Sequence, residues 1–235
     1  MSEATLIPPR GGEVIGDSPD RRVEVLCDDD ALHATWSRFG PGREGADLHV
    51  HRHHSDLFYV LEGELTVRLG PEDETIVVPA GTLARVPPLV VHGFRNASDD
   101  ELRYLNFHAP GGGFAAYLRG EEPGFDSEDP PADGGRPAEE AVIATGGLLV
   151  DTDEIRVEEI RRDPGSAALA GHEDRRHTES FYVLAGTLTF SFGADELRAE
   201  TGAWVQVPVG SAYTLAVSGS DEARYLVIHA PGRSQ

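Results

Sequence analysis

The residues best equipped for chemistry stand together in the run His49-Val50-His51-Arg52-His53-His54-Ser55-Asp56. His49 and His51 occupy alternate positions, so on a strand both imidazoles leave from one face and can share a metal ion. Well downstream comes Pro87-Pro88-Leu89-Val90-Val91-His92-Gly93-Phe94-Arg95-Asn96, with a further histidine. Cys27 is the single cysteine, which leaves no disulfide and no cysteine-based metal site, and it reads as a small buried hydrophobe. All 20 basic residues are arginine, so a lysine Schiff base or lysine general base is excluded.

The elements that must position these residues come in two copies. Phe58-Tyr59-Val60-Leu61-Glu62-Gly63 recurs as Phe181-Tyr182-Val183-Leu184-Ala185-Gly186, and Arg103-Tyr104-Leu105-Asn106-Phe107-His108-Ala109-Pro110-Gly111 as Arg224-Tyr225-Leu226-Val227-Ile228-His229-Ala230-Pro231-Gly232. A two-residue deletion in the turn around Pro71 to Glu74 separates the two matches. Within each copy, short segments rich in Val, Leu, Phe and Tyr are separated by Gly, Pro, Asn or Asp, the pattern of strands in an antiparallel sandwich or barrel. No long helical period competes. The domains are expected at 1–115 and 141–235, joined by an acidic, Pro/Gly-rich linker at 116–140 that reads as exposed chain apart from a short helix over Phe114 to Leu118.

Composition narrows the partners. Acidic residues outnumber basic ones 41 to 20, a formal charge of −21 that repels phosphate backbones and anionic membranes at long range. No apolar run has the length of a membrane-spanning helix, and the first ten residues lack the pattern of a signal peptide. The expectation is a cytoplasmic protein with a small-molecule substrate or ligand and no nucleic-acid or membrane partner. Two barrels in one chain are compatible with a monomer, and exposed strand edges with a homodimer.

The two motifs together resemble the cupin superfamily, and the repeat makes the chain similar to a bicupin, with quercetin dioxygenase-like enzymes the first comparison. Its first motif has two histidines one residue apart, then a glutamate and a glycine, and its second a histidine followed by Asn. His49, His51, Asp56 and Gly63 occupy the first here, and His92 and Asn96 the second. The resemblance covers both copies and implies an all-β fold of two tandem jelly-roll (double-stranded β-helix) barrels related by duplication. It implies a metal held by His49, His51, His92 and Asp56 in the N-terminal barrel. Two positions depart from the pattern: the glutamate is the shorter Asp56, which is open as ligand, water-bridged group or catalytic base, and a usual glycine is Leu89.

Three imidazoles with an optional carboxylate suit one divalent transition metal, Fe, Mn, Ni, Cu or Zn, and spacing does not choose among them. In the second copy His172, Asp174, Glu179 and Gly186 align with the first motif and Tyr213 with His92, a weaker ligand set that makes a second metal doubtful. Phe58 and Val60 are in phase with Asp56, and Phe94 with His92, so an apolar pocket with aromatic faces is expected beside the metal. His53 and His54 read as exposed turn residues, His108 and His229 as a repeated structural hydrogen bond, and Trp36 and Trp204 as packing anchors. The resemblance implies a metal-dependent dioxygenase acting on a small oxygen-donor substrate. The alternatives are a decarboxylase or isomerase, and a non-catalytic binding or sensing module.

Overall fold

Alternation of core-facing and outward residues along short segments, as in Leu65-Thr66-Val67, makes each segment a strand with one buried face. The computed structural model describes residues 4–121, 124–170 and 176–232. It is built almost entirely of antiparallel strands in two compact units, one spanning residues 13–145 and the other residues 1–12 with 146–235. No helix among the described residues is long and apolar enough to cross a membrane.

The first unit holds a seven-stranded sheet in the spatial order Val142–Thr145, Thr82–Val86, Ser55–Glu62, Leu102–Ala109, His33–Phe39, Arg21–Asp28, Glu13–Ser18. Its four-stranded sheet runs Glu44–His49, His92–Arg95, Glu64–Leu69, Glu74–Pro79. Phe58, Val60, Ala84 and Tyr104 from the larger sheet pack on Leu65, Val67 and Val78 from the smaller, giving one apolar core between them. The second unit repeats the plan. Its six-stranded sheet is ordered Thr5–Ile7, Trp204–Val207, Thr178–Ala185, Ala223–Ala230, Arg156–Arg162, Gly147–Asp151. The four strands Leu169–Ala170, Thr214–Val217, Thr187–Phe192, Asp195–Glu200 form its partner sheet.

The repeat extends to backbone detail. Gly63 and Gly186 end the matched Phe-Tyr-Val-Leu segments with φ of 75° and 77°. A Cβ there would stand 2.5 Å from the Glu101 carbonyl oxygen and 2.6 Å from that of Glu222. Only glycine fits such a crossing. Trp36 and Trp204 are buried, as is Cys27.

The domain limits read from the sequence need correction at both ends. Thr5–Ile7 does not join the N-terminal barrel; it pairs with Trp204–Val207 on the edge of the C-terminal unit. Val142–Thr145 conversely pairs with Thr82–Val86 of the N-terminal unit. The linker is also less free than its composition suggests. It contains the helix Phe114–Arg119, and Val50 and Glu128 exchange backbone hydrogen bonds of 2.9 and 3.0 Å that pin its middle to the first barrel. Arg52 adds two bonds of 2.6 Å to the Glu128 carboxylate. Composition reports solvation; it does not report such long-range pairing.

Candidate metal centre

His49 ends the strand Glu44–His49, and His92 opens the strand His92–Arg95 directly opposite it in register. His51 follows two residues after His49, and Asp56 enters from the neighbouring sheet on Ser55–Glu62. One ligand atom from each of the four lies within 4.8 Å of the others, and all but His49 are buried.

Each histidine is oriented by a backbone carbonyl. His49 Nδ1 donates to Asp47 O at 2.7 Å, His92 Nδ1 to Val90 O at 2.9 Å, and His51 Nδ1 to Asp126 O. A carbonyl only accepts, so each Nδ1 carries the proton and each Nε2 presents a lone pair. His49 Nε2 and His51 Nε2 then face one another at 3.2 Å, and His92 Nε2 is buried without a hydrogen-bond partner. Lone pairs brought so close repel unless a cation lies between them, so the residues fit a divalent metal.

Asp56 stands at the edge of the three. Its Oδ2 is 3.4 Å from His92 Nε2 and 3.7 Å from His51 Nε2, while Oδ1 is 3.4 Å from His108 Nε2 and accepts a hydrogen bond from Asn106 Nδ2. Burial opposes its ionisation, but the neighbouring His108, with the His51 and His92 rings beside it, outweighs burial and holds the carboxyl well below the usual carboxylate range. Asp56 is an anion. Burial, with the neighbouring His92 and His51, lowers His49 to about 4, which keeps that imidazole neutral and able to ligate.

A cavity of about 580 Å³ opens on His49, His51 and Asp56, within the usual range for a small-ligand site. Phe94 lines it, as expected. Phe58 and Val60 do not: both are fully buried in the core, Phe58 packed behind Phe94 at 4.8 Å between ring centroids. Nor is the wall uniformly apolar, since Thr35, Ser37 and Asn106, neighbours on paired strands, line it together with Phe94, Phe114 and Phe125.

Several residues here carry no motif. His54, expected at the surface, is 1% exposed, and its Nδ1 is 3.1 Å from Asp126 Oδ2. Asp126 also accepts from the Arg52 and His53 amides, so a residue of the presumed free linker braces the loop between His51 and Asp56. His108 contacts Asp56, His54 and Phe125. Asn96 donates to the carbonyls of Gly40 and Asp100 and fastens a loop; it does not approach the metal. Leu89 adopts φ 65°, the conformation a glycine would take. The recurrence of His108 as His229 was the one available sequence signal for its role.

In the second copy, Glu179 accepts from Tyr213 Oη at 2.8 Å and pairs with His229 Nε2 at 2.8 Å. Its carboxylate is thus engaged by a phenol and an imidazole. His172 and Asp174, the other two residues of that set, lie outside the described residues. Among the described residues, the two groups of side chains close enough to share an ion, His49, His51, Asp56 and His92, and His51, His54 and His108, both belong to the first unit.

The family model described as "Cupin domain" matches residues 35–108 and again 159–229. No curated protein matches the chain at a significant level. Among solved structures, the Ylba protein from E. coli aligns with a TM-score of 0.71 at 12% identity, over 99% of this chain and 92% of that one. A putative glyoxylate-induced protein from Pseudomonas aeruginosa aligns at 0.69 and 14%, over 100% and 92%. A mutant of Bacillus subtilis oxalate decarboxylase aligns at 0.65 and 14%, over 98% and 78%. At these identities the likeness is one of fold.

Proposed function

Because the chain belongs to the cupin family, we propose that its first barrel is a metal-dependent enzyme. It would act on a small oxygen-bearing substrate held in the cavity that opens on His49, His51 and Asp56. The observation that carries this reading is the approach of His49 Nε2 and His51 Nε2 to 3.2 Å with both lone pairs turned inward, beside the unpartnered His92 Nε2. His49, His51 and His92 would hold the metal, with Asp56 as a fourth ligand or as the base.

A bound divalent metal supplies Lewis-acid activation of a substrate oxygen and, if redox-active, activation of dioxygen. The protein's own share is positional. The carbonyls of Asp47, Val90 and Asp126 fix the imidazoles, and Asn106 and His108 fix Asp56 where it can take a proton from a hydroxyl on the substrate. Phe94, Phe114 and Phe125 offer faces for an aromatic or apolar body. We put dioxygen-dependent oxidation of an enolisable or phenolic substrate first. The polar strip Thr35, Ser37 and Asn106 favours a second reading, decarboxylation of a small acid, a reaction type carried in the name of one structural neighbour.

The test is metal analysis of untagged protein, followed by oxygen uptake and carbon dioxide release with phenolic and small-acid panels after loading Fe, Mn, Ni, Cu or Zn. One metal per chain, lost in His49→Ala and His92→Ala, supports the centre. No stoichiometric metal in any preparation sinks it. Metal without turnover leaves a binding or sensing module as the surviving reading.

A further inference from the structure

The cavity of the first barrel has a second chemical pole. Two arginines lie on its wall, Arg21 and Arg43. Arg43 pairs with Asp20 at 2.9 Å. In both arginines Nε is buried without a hydrogen-bond partner, but Arg21 differs from Arg43 in that, among the described residues, no carboxylate pairs with its guanidinium. In a chain where acidic residues outnumber basic ones 41 to 20, an arginine left without a carboxylate is unexpected. A buried or half-buried guanidinium is costly to leave unpaired, and its planar fork suits a carboxylate or similar anion.

Strand register places this cation relative to the metal centre. His108 is opposite Asp56, and along the same strand Asn106, Tyr104 and Leu102 follow towards the far end. Leu102 is opposite Phe39, and Phe39 is opposite Arg21. Six residues separate the His108 and Leu102 levels, roughly 20 Å between Cα positions at ~3.3 Å per residue, a gap that the side chains at both ends shorten. Between the poles lie Phe39, Phe94 and Tyr104, with ring centroids 5.4 to 6.1 Å apart. Tyr104 feels both ends, since the Arg21 cation and the Asp56 anion act on its phenol in opposite senses.

We propose that Arg21 is a specificity-determining residue that binds an anionic group at the end of the substrate remote from the metal. The ligand is then two-headed: an oxygen donor at the histidines, a carboxylate or comparable anion at Arg21, and an apolar or aromatic body along Phe39, Phe94 and Tyr104. The proposal rests on the metal-centre reading for the first head only. A net charge of −21 repels anions at long range, so retention of one has to come from a short-range pairing, and Arg21 is the cavity-lining group placed to supply it.

The experiment uses 4-(3,4-dihydroxyphenyl)butanoate and its neutral amide, titrated calorimetrically into the metal-loaded full chain. The acid is expected to bind at least about tenfold tighter than the amide. In Arg21→Gln that ratio should fall to near one with amide affinity unchanged, and Arg21→Lys should keep part of it. Arg43→Gln should leave the ratio alone, and thermal melting checks that every variant is folded. In His92→Ala both affinities should drop while the ratio survives, which separates the two poles. Equal binding of acid and amide in the wild type, an unchanged ratio in Arg21→Gln, or no binding of either probe overturns the proposal. Absence of metal in the wild-type sample counts against the metal centre, and the acid-to-amide ratio in that sample still decides Arg21.

Discussion

The Nε2 of His108 lies 3.4 Å from Oδ1 of Asp56, and in the second unit His229 and Glu179 repeat the pair at 2.8 Å. The duplicated histidine therefore serves the carboxylate position of each barrel. In the first barrel it orients a group beside the candidate metal. His108→Ala is expected to leave the metal site assembled but to weaken metal affinity by about 10–100-fold, the usual cost of losing an outer partner. Competition with a chromogenic chelator reads this directly, and unchanged affinity would assign His108 to packing alone.

Asp56→Asn preserves shape and removes the anion. If the three imidazoles suffice to hold the metal, content should persist while turnover falls by about 100-fold or more, as expected for loss of a base. Loss of metal together with turnover would instead make Asp56 a ligand. Side-by-side metal analysis and rate measurement separate the two.

Acid should destabilise the metal-free protein through its buried histidines. Burial, then the His108 and Arg119 charges, lowers His33 to about 3 from an ordinary value of 6.5. The unfolded chain takes up that proton below pH about 6.5 and the folded chain refuses it until about 3, so stability is complete above the window and lost as pH falls through it. The slope is about 1.4 kcal/mol per pH unit for each such group. His33→Phe, which keeps a ring against Phe114, should flatten the curve between pH 6 and 4 by about that amount in urea titrations.

Leu89 holds a left-handed backbone at φ 65°. Its amide donates to His51 O at 2.7 Å and its carbonyl accepts from Arg136 N at 2.8 Å, so the conformation is locked. Strain of about 1–2 kcal/mol is relieved by Leu89→Gly and offset in part by glycine's added unfolded-state freedom. That variant should melt within a few degrees of wild type, whereas the β-branched Leu89→Val should be clearly destabilised. Thermal unfolding of the pair decides it.

Asp126→Ala removes acceptors for the Arg52 and His53 amides, bonded at 3.0 and 2.8 Å. A loss of about 1 kcal/mol is expected, because both amides are exposed and water can replace the carboxylate, with looser metal binding through His51. Denaturant titration and metal competition on one preparation test both effects.

The sequence was informative where chemistry is local. The alternation of His49 and His51, and the recurrence of whole segments, exposed the strands, the duplication and the histidine set. It was uninformative where contacts are long-range. His54 and Asp126 meet across a linker whose composition speaks only of solvent, and Asn106 reaches Asp56 by strand pairing that no spacing encodes. Phase alone does not say how deep a residue sits: Phe58 and Val60 share the phase of Asp56, yet they belong to the core behind the pocket.

The strands Thr5–Ile7 and Val142–Thr145, each capping a sheet in the unit encoded by the other half of the repeat, bear on heredity and on engineering. A gene cut within the linker would express two fragments, each with a raw strand edge where its cap had been, and raw edges seek other chains. Such crossed capping makes the halves hard to inherit, shuffle or transplant singly, so a barrel with a weakened ligand set can persist as the obligate companion of the one that keeps its histidines.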